Sequence, residues 1–304
     1  MRIADYEEME YAKYSFKSEL DKAINELEGI INGISIDKKI NLAEIIEFVN
    51  WCDQYKEMIY RKPFNEIIPL IQAALEDNIL TWEEIQDILW ACDNFKGTSK
   101  YYNIITADIQ KLHGIMHGIL ADNEINTSEI EGLRNWIFDN HHLKGLYPYD
   151  ELFSLVSGIL ADGMVDENEK AILKVFFSDF IDLNNTVNID IDEINRLKET
   201  IKIEGLCSVD PEICFVNELF CFTGISSKFR RSDIQNIVES LGGKFKDAVI
   251  KDTKYLVIGD NGNPCWAFSC YGRKVEQAVD LRKKGKNILI IHESDFWNAV
   301  EQHK

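Results

Sequence analysis

Four short segments recur along the chain and limit what it can fold into: Asp37 to Glu44, Asp77 to Glu84, Asp122 to Glu129 and Asp162 to Glu169. Each reads Asp, two residues, an aliphatic residue, a capping residue, two residues and Glu, and the aspartates recur at intervals of 40, 45 and 40 residues. Such self-similarity marks an internal repeat. Asn41, Thr81, Asn126 and Asp166 stand where a helix N-cap belongs, and the Glu three residues on completes a capping box. An apolar stripe at helical spacing follows each box: Ile45, Phe48, Val49 and Cys52; Ile85, Ile88 and Leu89; Ile130, Leu133 and Ile137; Ile172, Leu173 and Phe176. Helical patterns also precede the boxes, as in Phe64 to Leu75 and Leu112 to Ile119. The spacing predicts four helical hairpins, with an added helix over about residues 5–30. No hairpin can bury its own apolar face alone, so the hairpins must pack together.

Charge separates this region from the rest. The net charge is −19, yet residues 211–304 hold 14 Lys and Arg against 12 Asp and Glu. That leaves 19 basic and 40 acidic residues in 1–210. The phosphate backbone repels such an acidic region. Nucleic-acid contact is therefore expected from the C-terminal part alone, and a protein partner from the acidic part. The first ten residues are acidic and lack the apolar core of a secretory signal. No apolar run approaches the ~18–20 residues that span a bilayer. The expectation is a soluble cytoplasmic protein with no membrane partner. The seven cysteines are scattered and form no CxxC pair, so they read as reduced core residues. Cys265 and Cys270 lack the second pair of a zinc site.

The segment from Gly158 to Glu169 invites comparison with an EF-hand, but its first and third ligand positions would be Gly158 and Leu160. Neither offers a side-chain oxygen, and calcium needs six or more oxygens. Ala161-Asp162-Gly163 followed by an acidic capping helix resembles instead the tellurite-resistance B-type helical domains. That resemblance covers roughly residues 100–180 and implies an all-helical module, sometimes metal-associated. His113 and His117 lie four apart on one helix face, as a metal-binding pair can. No Glu follows the first, and His141 and His142 have no fixed placement, so interfacial packing is the plainer reading and no metal site is assigned.

Residues 182–212 are polar and turn-like, with one further short helix over 191–203 and Pro211 at the close. Beyond them the pattern changes to strands at 218–223, 245–250, 255–258 and 287–291, with helices at 230–241, 272–285 and 294–302. This βαββαβα order predicts a small parallel sheet flanked by helices. The whole is a multidomain α plus α/β chain: an all-helical repeat array over 1–181, a linker over 182–212 and an α/β domain over 213–304.

Thr223 and Gly224 end the first strand just before a helix, a junction that turns backbone N–H groups and a helix dipole toward an anion. Arg231 offers a bidentate clamp for phosphate. Lys274 sits in the first turn of the next helix, where a cation opposes the dipole, so a bound anion would account for it. Lys228, Arg230, Lys244 and Arg273 lie nearby in sequence and read either as a track for a DNA backbone or as ordinary surface charge. Trp266, Phe268 and Tyr271 could stack on an end base or pack as local core. Trp297 reads as structural.

The run Phe220-Cys221-Phe222-Thr223-Gly224, then Gly242-Gly243, then Tyr255 to Gly259, then Lys274, resembles a BRCT domain. It is most similar to the branch found in NAD-dependent DNA ligases and the large subunit of eukaryotic clamp loaders. The resemblance implies recognition of phosphate, typically at DNA ends. It implies that Thr223, Gly224, Arg231 and Lys274 hold one phosphate group. No catalytic triad, P-loop, Rossmann fingerprint or adenylation lysine motif is present in the sequence. The expectation is a non-enzymatic adaptor without cofactor, associated with DNA repair or replication. It binds a DNA 5′-phosphate end through its C-terminal domain and a protein through its acidic array. The alternative is a phosphopeptide-binding or protein–protein scaffold. A third reading is a helical domain regulated by metal.

Overall fold

The structure, a computed structural model, describes residues 12–96, 104–201, 207–226, 228–259 and 273–303. The N-terminal part is helical, as the periodicity predicts: α1 (Ala12–Ile34), α2 (Leu42–Gln54), α3 (Phe64–Ala74), α4 (Trp82–Lys96), α5 (Ile104–Leu120), α6 (Thr127–Asp139), α7 (Tyr149–Ile159), α8 (Glu167–Ser178) and α9 (Ile191–Thr200). The C-terminal part alternates β1 (Leu219–Thr223), α10 (Arg231–Ser240), β2 (Lys244–Phe245), β3 (Tyr255–Ile258), α11 (Arg273–Lys283), β4 (Leu289–His292) and α12 (Glu293–Gln302). Among the described residues, no helix is long and apolar enough to cross a membrane.

The chain forms two compact units, Met1–Leu133 with Lys170–Leu197, and Arg134–Glu169 with Lys198–Lys304. These differ from a division at residues 181 and 213, and each unit shows why.

All four capping boxes close, three in the first unit and the last in the second. Asn41 accepts from Glu44 N at 3.0 Å while the Glu44 carboxylate accepts from Asn41 N at 2.6 Å. Thr81 with Glu84, Asn126 with Glu129 and Asp166 with Glu169 repeat the exchange. The recurring Asp has its own task. Asp37, Asp77, Asp122 and Asp162 each accept a bond from the backbone N–H two residues on, at 2.8 to 3.0 Å. The residue between is left-handed each time: Lys38 (φ 64°), Asn78 (60°), Asn123 (64°) and Gly163 (79°). Asn and Gly tolerate that conformation; Lys does so at a steric cost. Each segment is thus one folded turn, from the Asp side chain through the left-handed residue to the cap.

In the first unit, helices α1 and α5 touch backbone to backbone. A Cβ on Gly114 would stand 2.1 Å from Glu26 O, and one on Gly29 2.1 Å from Lys111 O. Gly33 and Gly118 meet in the same way one turn further along. Two small-residue pairs four apart let the helix axes approach to where their backbones are in contact. Around this crossing Leu27, Ile31, Phe48, Phe64 and Ile67 are fully buried.

Residues 182–197 belong to this unit rather than to a loose linker. Glu47 is buried and accepts from Val187 N at 2.9 Å, and Asn188 donates to Ala43 O at 2.7 Å. His117 Nε2 lies 3.1 Å from Glu47 Oε1, while His113 packs on Phe180. Burial raises the pKa of Glu47, but His117 and the two backbone donors Val187 and Asn188 outweigh it, so the carboxyl is held below its ordinary value. The two histidines thus have separate neighbours. Among the described residues, no group of three or more His, Cys, Asp or Glu could hold a metal ion.

The second unit has a parallel four-stranded sheet in the order β2-β1-β3-β4. β2 is shorter than its apolar run predicts. It is an edge strand, and past Phe245 only Lys246 N keeps a bond to β1, at 3.0 Å to Phe220 O. One sheet face buries Phe215, Phe220, Phe222, Phe296 and Trp297; Cys221, Leu256, Val275 and Ile290 lie in a second cluster. Residues 134–169 join this unit through Arg282 at the end of α11. Its guanidinium is 1% exposed and grips Glu151 with both arms, one at 2.8 Å, and Asp150 at 3.2 Å. Its NH1 also donates to Ile288 O. Burial works against the charge, but Glu151 and Asp150 overcome that and the Arg282 pKa is raised. Asp150 in turn accepts from Gly145 N at 3.0 Å, and Tyr149 OH donates to Ile137 O at 2.6 Å.

Candidate nucleic-acid interface

β1 is buried over Leu219 to Phe222 and emerges at Thr223. Gly224 then turns with φ +76°, a region L side chains rarely adopt, and the chain runs on to α10. Gly224 is what lets the strand reverse at the sheet's carboxyl edge, where ligands of α/β folds commonly sit.

The structure brings the four principal sequence-derived residues to this edge. Lys274, the second residue of α11, is half-buried and its Nζ donates to Phe222 O at 2.9 Å. Arg231, the first residue of α10, donates from NH2 to Gly224 O at 3.2 Å and from NH1 to Asp247 at 3.3 Å. The two cations therefore flank Thr223, one on the carbonyl before it and one on the carbonyl after it. Their field reaches the strand interior. Burial raises the Cys221 thiol pKa, and the charges of Lys274 and Arg231 pull against that rise. The Arg231–Asp247 pair is exposed on both sides, and such pairs contribute only about 0–1 kcal/mol. Asp247 therefore holds the guanidinium only weakly.

Next to Gly224 lies a cleft of about 540 Å³ lined by Phe222, Gly224, Ile225, Ser226, Lys228, Phe229, Arg230, Arg231 and Ile234. Lys228 and Arg230 are exposed on its wall, the second as the N-cap residue of α10 with no side-chain capping bond. Lys274 is not part of this lining. Lys244 is exposed on the edge strand β2. Arg273 opens α11, but its side chain lies outside the described residues, as do Cys265, Trp266, Phe268, Cys270 and Tyr271.

Sequence reasoning missed three participants. Glu293, fully buried at the start of α12, accepts from the Ser226 hydroxyl and from Trp297 Nε1 at 2.8 Å. Ser226 Oγ accepts from Lys228 N at 3.1 Å and Phe229 N at 3.2 Å. Asp247 is the third. Nothing local marks them: Glu293 is 67 residues from Ser226.

Residues 210–297 match the BRCA1 C Terminus (BRCT) domain. This part of the chain is a BRCT domain. Its parallel sheet and flanking helices are those the sequence resemblance implies. Among curated proteins, a DNA ligase of Clostridium novyi is 30% identical over 154 residues, 50% of this chain and 19% of that ligase. A DNA ligase of Pseudothermotoga lettingae is 44% identical over 85 residues, 28% of this chain and 10% of that ligase. One from Fervidobacterium nodosum is 34% identical over 83 residues, 27% of this chain and 10% of that ligase. The chain thus spans less than a fifth of the length of these relatives. No solved structure gives a significant match.

Proposed function

We propose that this protein is a non-enzymatic adaptor whose BRCT domain binds a 5′-phosphorylated DNA end and whose acidic helical part binds a protein. The observation that carries the reading is the pair of cations on the carbonyls either side of Thr223: Lys274 on Phe222 O and Arg231 on Gly224 O. One phosphate beside Thr223 would receive the Lys274 ammonium, the Arg231 guanidinium, the Thr223 hydroxyl and N–H groups of the turn at Gly224. Lys228 and Arg230 would follow the adjoining backbone. The likeness to DNA ligases favours DNA over a phosphopeptide as the source of that phosphate.

The test uses the full chain, since residues 134–169 pack with the BRCT domain. Fluorescence anisotropy should show tighter binding to 5′-phosphorylated than to 5′-hydroxyl duplex. Lys274→Ala should cost about 1.5–3 kcal/mol and erase most of that preference, and Thr223→Val about 1 kcal/mol. Each cation removed from the phosphate should flatten the log–log salt slope by about 0.9. Lys283→Ala, whose ammonium rests over the Tyr147 ring, serves as control. Equal affinity for both ends, untouched by Lys274→Ala, would move the reading to a protein-interaction scaffold.

A further inference from the structure

The cleft beside the cations is not purely polar. Phe229 is 48% exposed and Ile225 69% exposed, and both line it. Large exposed apolar side chains on a cationic wall need an account, because hydration of a phosphate alone would favour polar neighbours. Phe229 is also held still. Its ring packs on Trp297 with centroids 5.1 Å apart, its N–H donates to Ser226 Oγ, and both Ser226 and Trp297 are tied to the buried Glu293. The Lys228 ammonium lies 5.7 Å from the same Trp297 ring. The result is a preset aromatic surface, braced from behind and open in front, with Lys228, Arg230 and Arg231 around the same cleft. A volume of about 540 Å³ is that of a small-ligand site and admits a nucleotide.

We propose that Phe229 is the stacking platform for the terminal nucleobase of the 5′-phosphorylated strand, so that the domain reads an end nucleotide rather than a phosphate alone. Ile225 closes the apolar side of the same seat. The Ser226–Glu293–Trp297 bonds set the platform before DNA arrives. Stacking tolerates any base, since every base offers a π-face. The inference rests on the phosphate reading above and adds a second, independent contact to it.

The experiment compares the full chain and its Phe229→Ala and Phe229→Leu variants on duplexes bearing a 5′-phosphate. One has an ordinary terminal nucleotide and the other an abasic terminal residue; 5′-hydroxyl versions of each are run alongside. Removing the base should weaken wild-type binding by about 5- to 150-fold. Phe229→Ala should weaken binding of the ordinary duplex by a similar factor and abolish discrimination against the abasic one, while keeping the preference for the phosphate. Phe229→Leu, which retains apolar bulk, should fall between and stands in should the alanine variant melt. Equal wild-type affinity for ordinary and abasic ends overturns the platform, as does a Phe229→Ala weakening of the same size on both duplexes. If wild type ignores the 5′-phosphate itself, the phosphate reading has failed and the platform with it. Tighter binding of a phosphoserine peptide than of either duplex would likewise overturn it.

Discussion

The carboxylates of the helical part and the cations of the BRCT domain make opposite use of charge. In the helical part, the Glu of each capping box accepts from its own N-cap backbone, and Glu47 is bound by His117 and two N–H groups. Their positions are explained by the fold. At the BRCT edge, Lys274 and Arg231 rest on backbone carbonyls, the carboxylate that Arg231 meets is exposed, and Arg230 is exposed too. The contrast also runs inside the domain. Arg282 carries the same guanidinium as Arg231, yet it is enclosed by Glu151 and Asp150 and is structural. A charged residue argues for a ligand site only after its structural partners are subtracted.

That distinction gives its largest expected effect at Arg282. Arg282→Ala would leave Glu151 and Asp150 buried without their partner, which costs about 3–5 kcal/mol. Denaturant unfolding should show the destabilisation. Under conditions where the variant remains folded, its preference for a 5′-phosphate should survive, unlike that of Lys274→Ala. Disappearance of the preference in folded protein would break the contrast. A somewhat smaller effect is expected at the helix crossing. Gly114→Ala places a Cβ 2.1 Å from Glu26 O, a backbone atom that cannot turn aside; overpacking of this kind costs about 1–3 kcal/mol. A melting temperature equal to wild type would refute the close approach of α1 and α5.

The carboxylates can be separated by pH. Burial first, and then the charges of Asp122 and Asp37, push the pKa of Glu44 and of Glu129 up to about 8. The folded state therefore holds protons that the unfolded chain has released, so stability falls as pH rises from the ordinary carboxyl range to about 8. His113, held down to about 4 by burial, has the opposite slope below about 6.5, and Glu47 acts only in acid. Above pH 6.5 the His113 slope is over, and raised carboxyls such as Glu44 and Glu129 act alone in direction up to about pH 8. Melting temperature should drop over that range, and Glu44→Gln or Glu129→Gln should flatten the curve. The smallest effect is a gain. Lys38 alone among the four left-handed turn positions is neither Asn nor Gly. Lys38→Asn should stabilise the helical unit by a few tenths of a kcal/mol up to about 1, read by urea unfolding.

What was legible in the sequence was short-range. Caps at Asn41, Thr81, Asn126 and Asp166 depend on a bond three residues away, so spacing alone found them. The strands around Phe220 and Val257 were visible as apolar runs, and the helix starts at Arg231 and Lys274 as breaks in them. The Gly29, Gly33, Gly114 and Gly118 contact has no short-range signature, because a glycine in one helix has no meaning until the glycine of its partner is opposite. Arg282 lies in a basic run with Lys283 and Lys284 that reads as surface, and only packing separates it from them.

The sequence by itself determined the helical N-terminal part, the βαββαβα order and the residue types at the phosphate edge, because each follows from periodicity, capping or strand–turn–helix spacing within a few positions. The tertiary structure alone decided which charges are consumed and which are left to act. Arg282 meets Glu151 across 131 residues of chain, Glu47 meets Val187 across 140, and Ser226 meets Glu293 across 67. Partners so distant leave no periodic trace, and it is burial, not residue type, that turns one arginine into a strut and leaves another at the rim of a cleft.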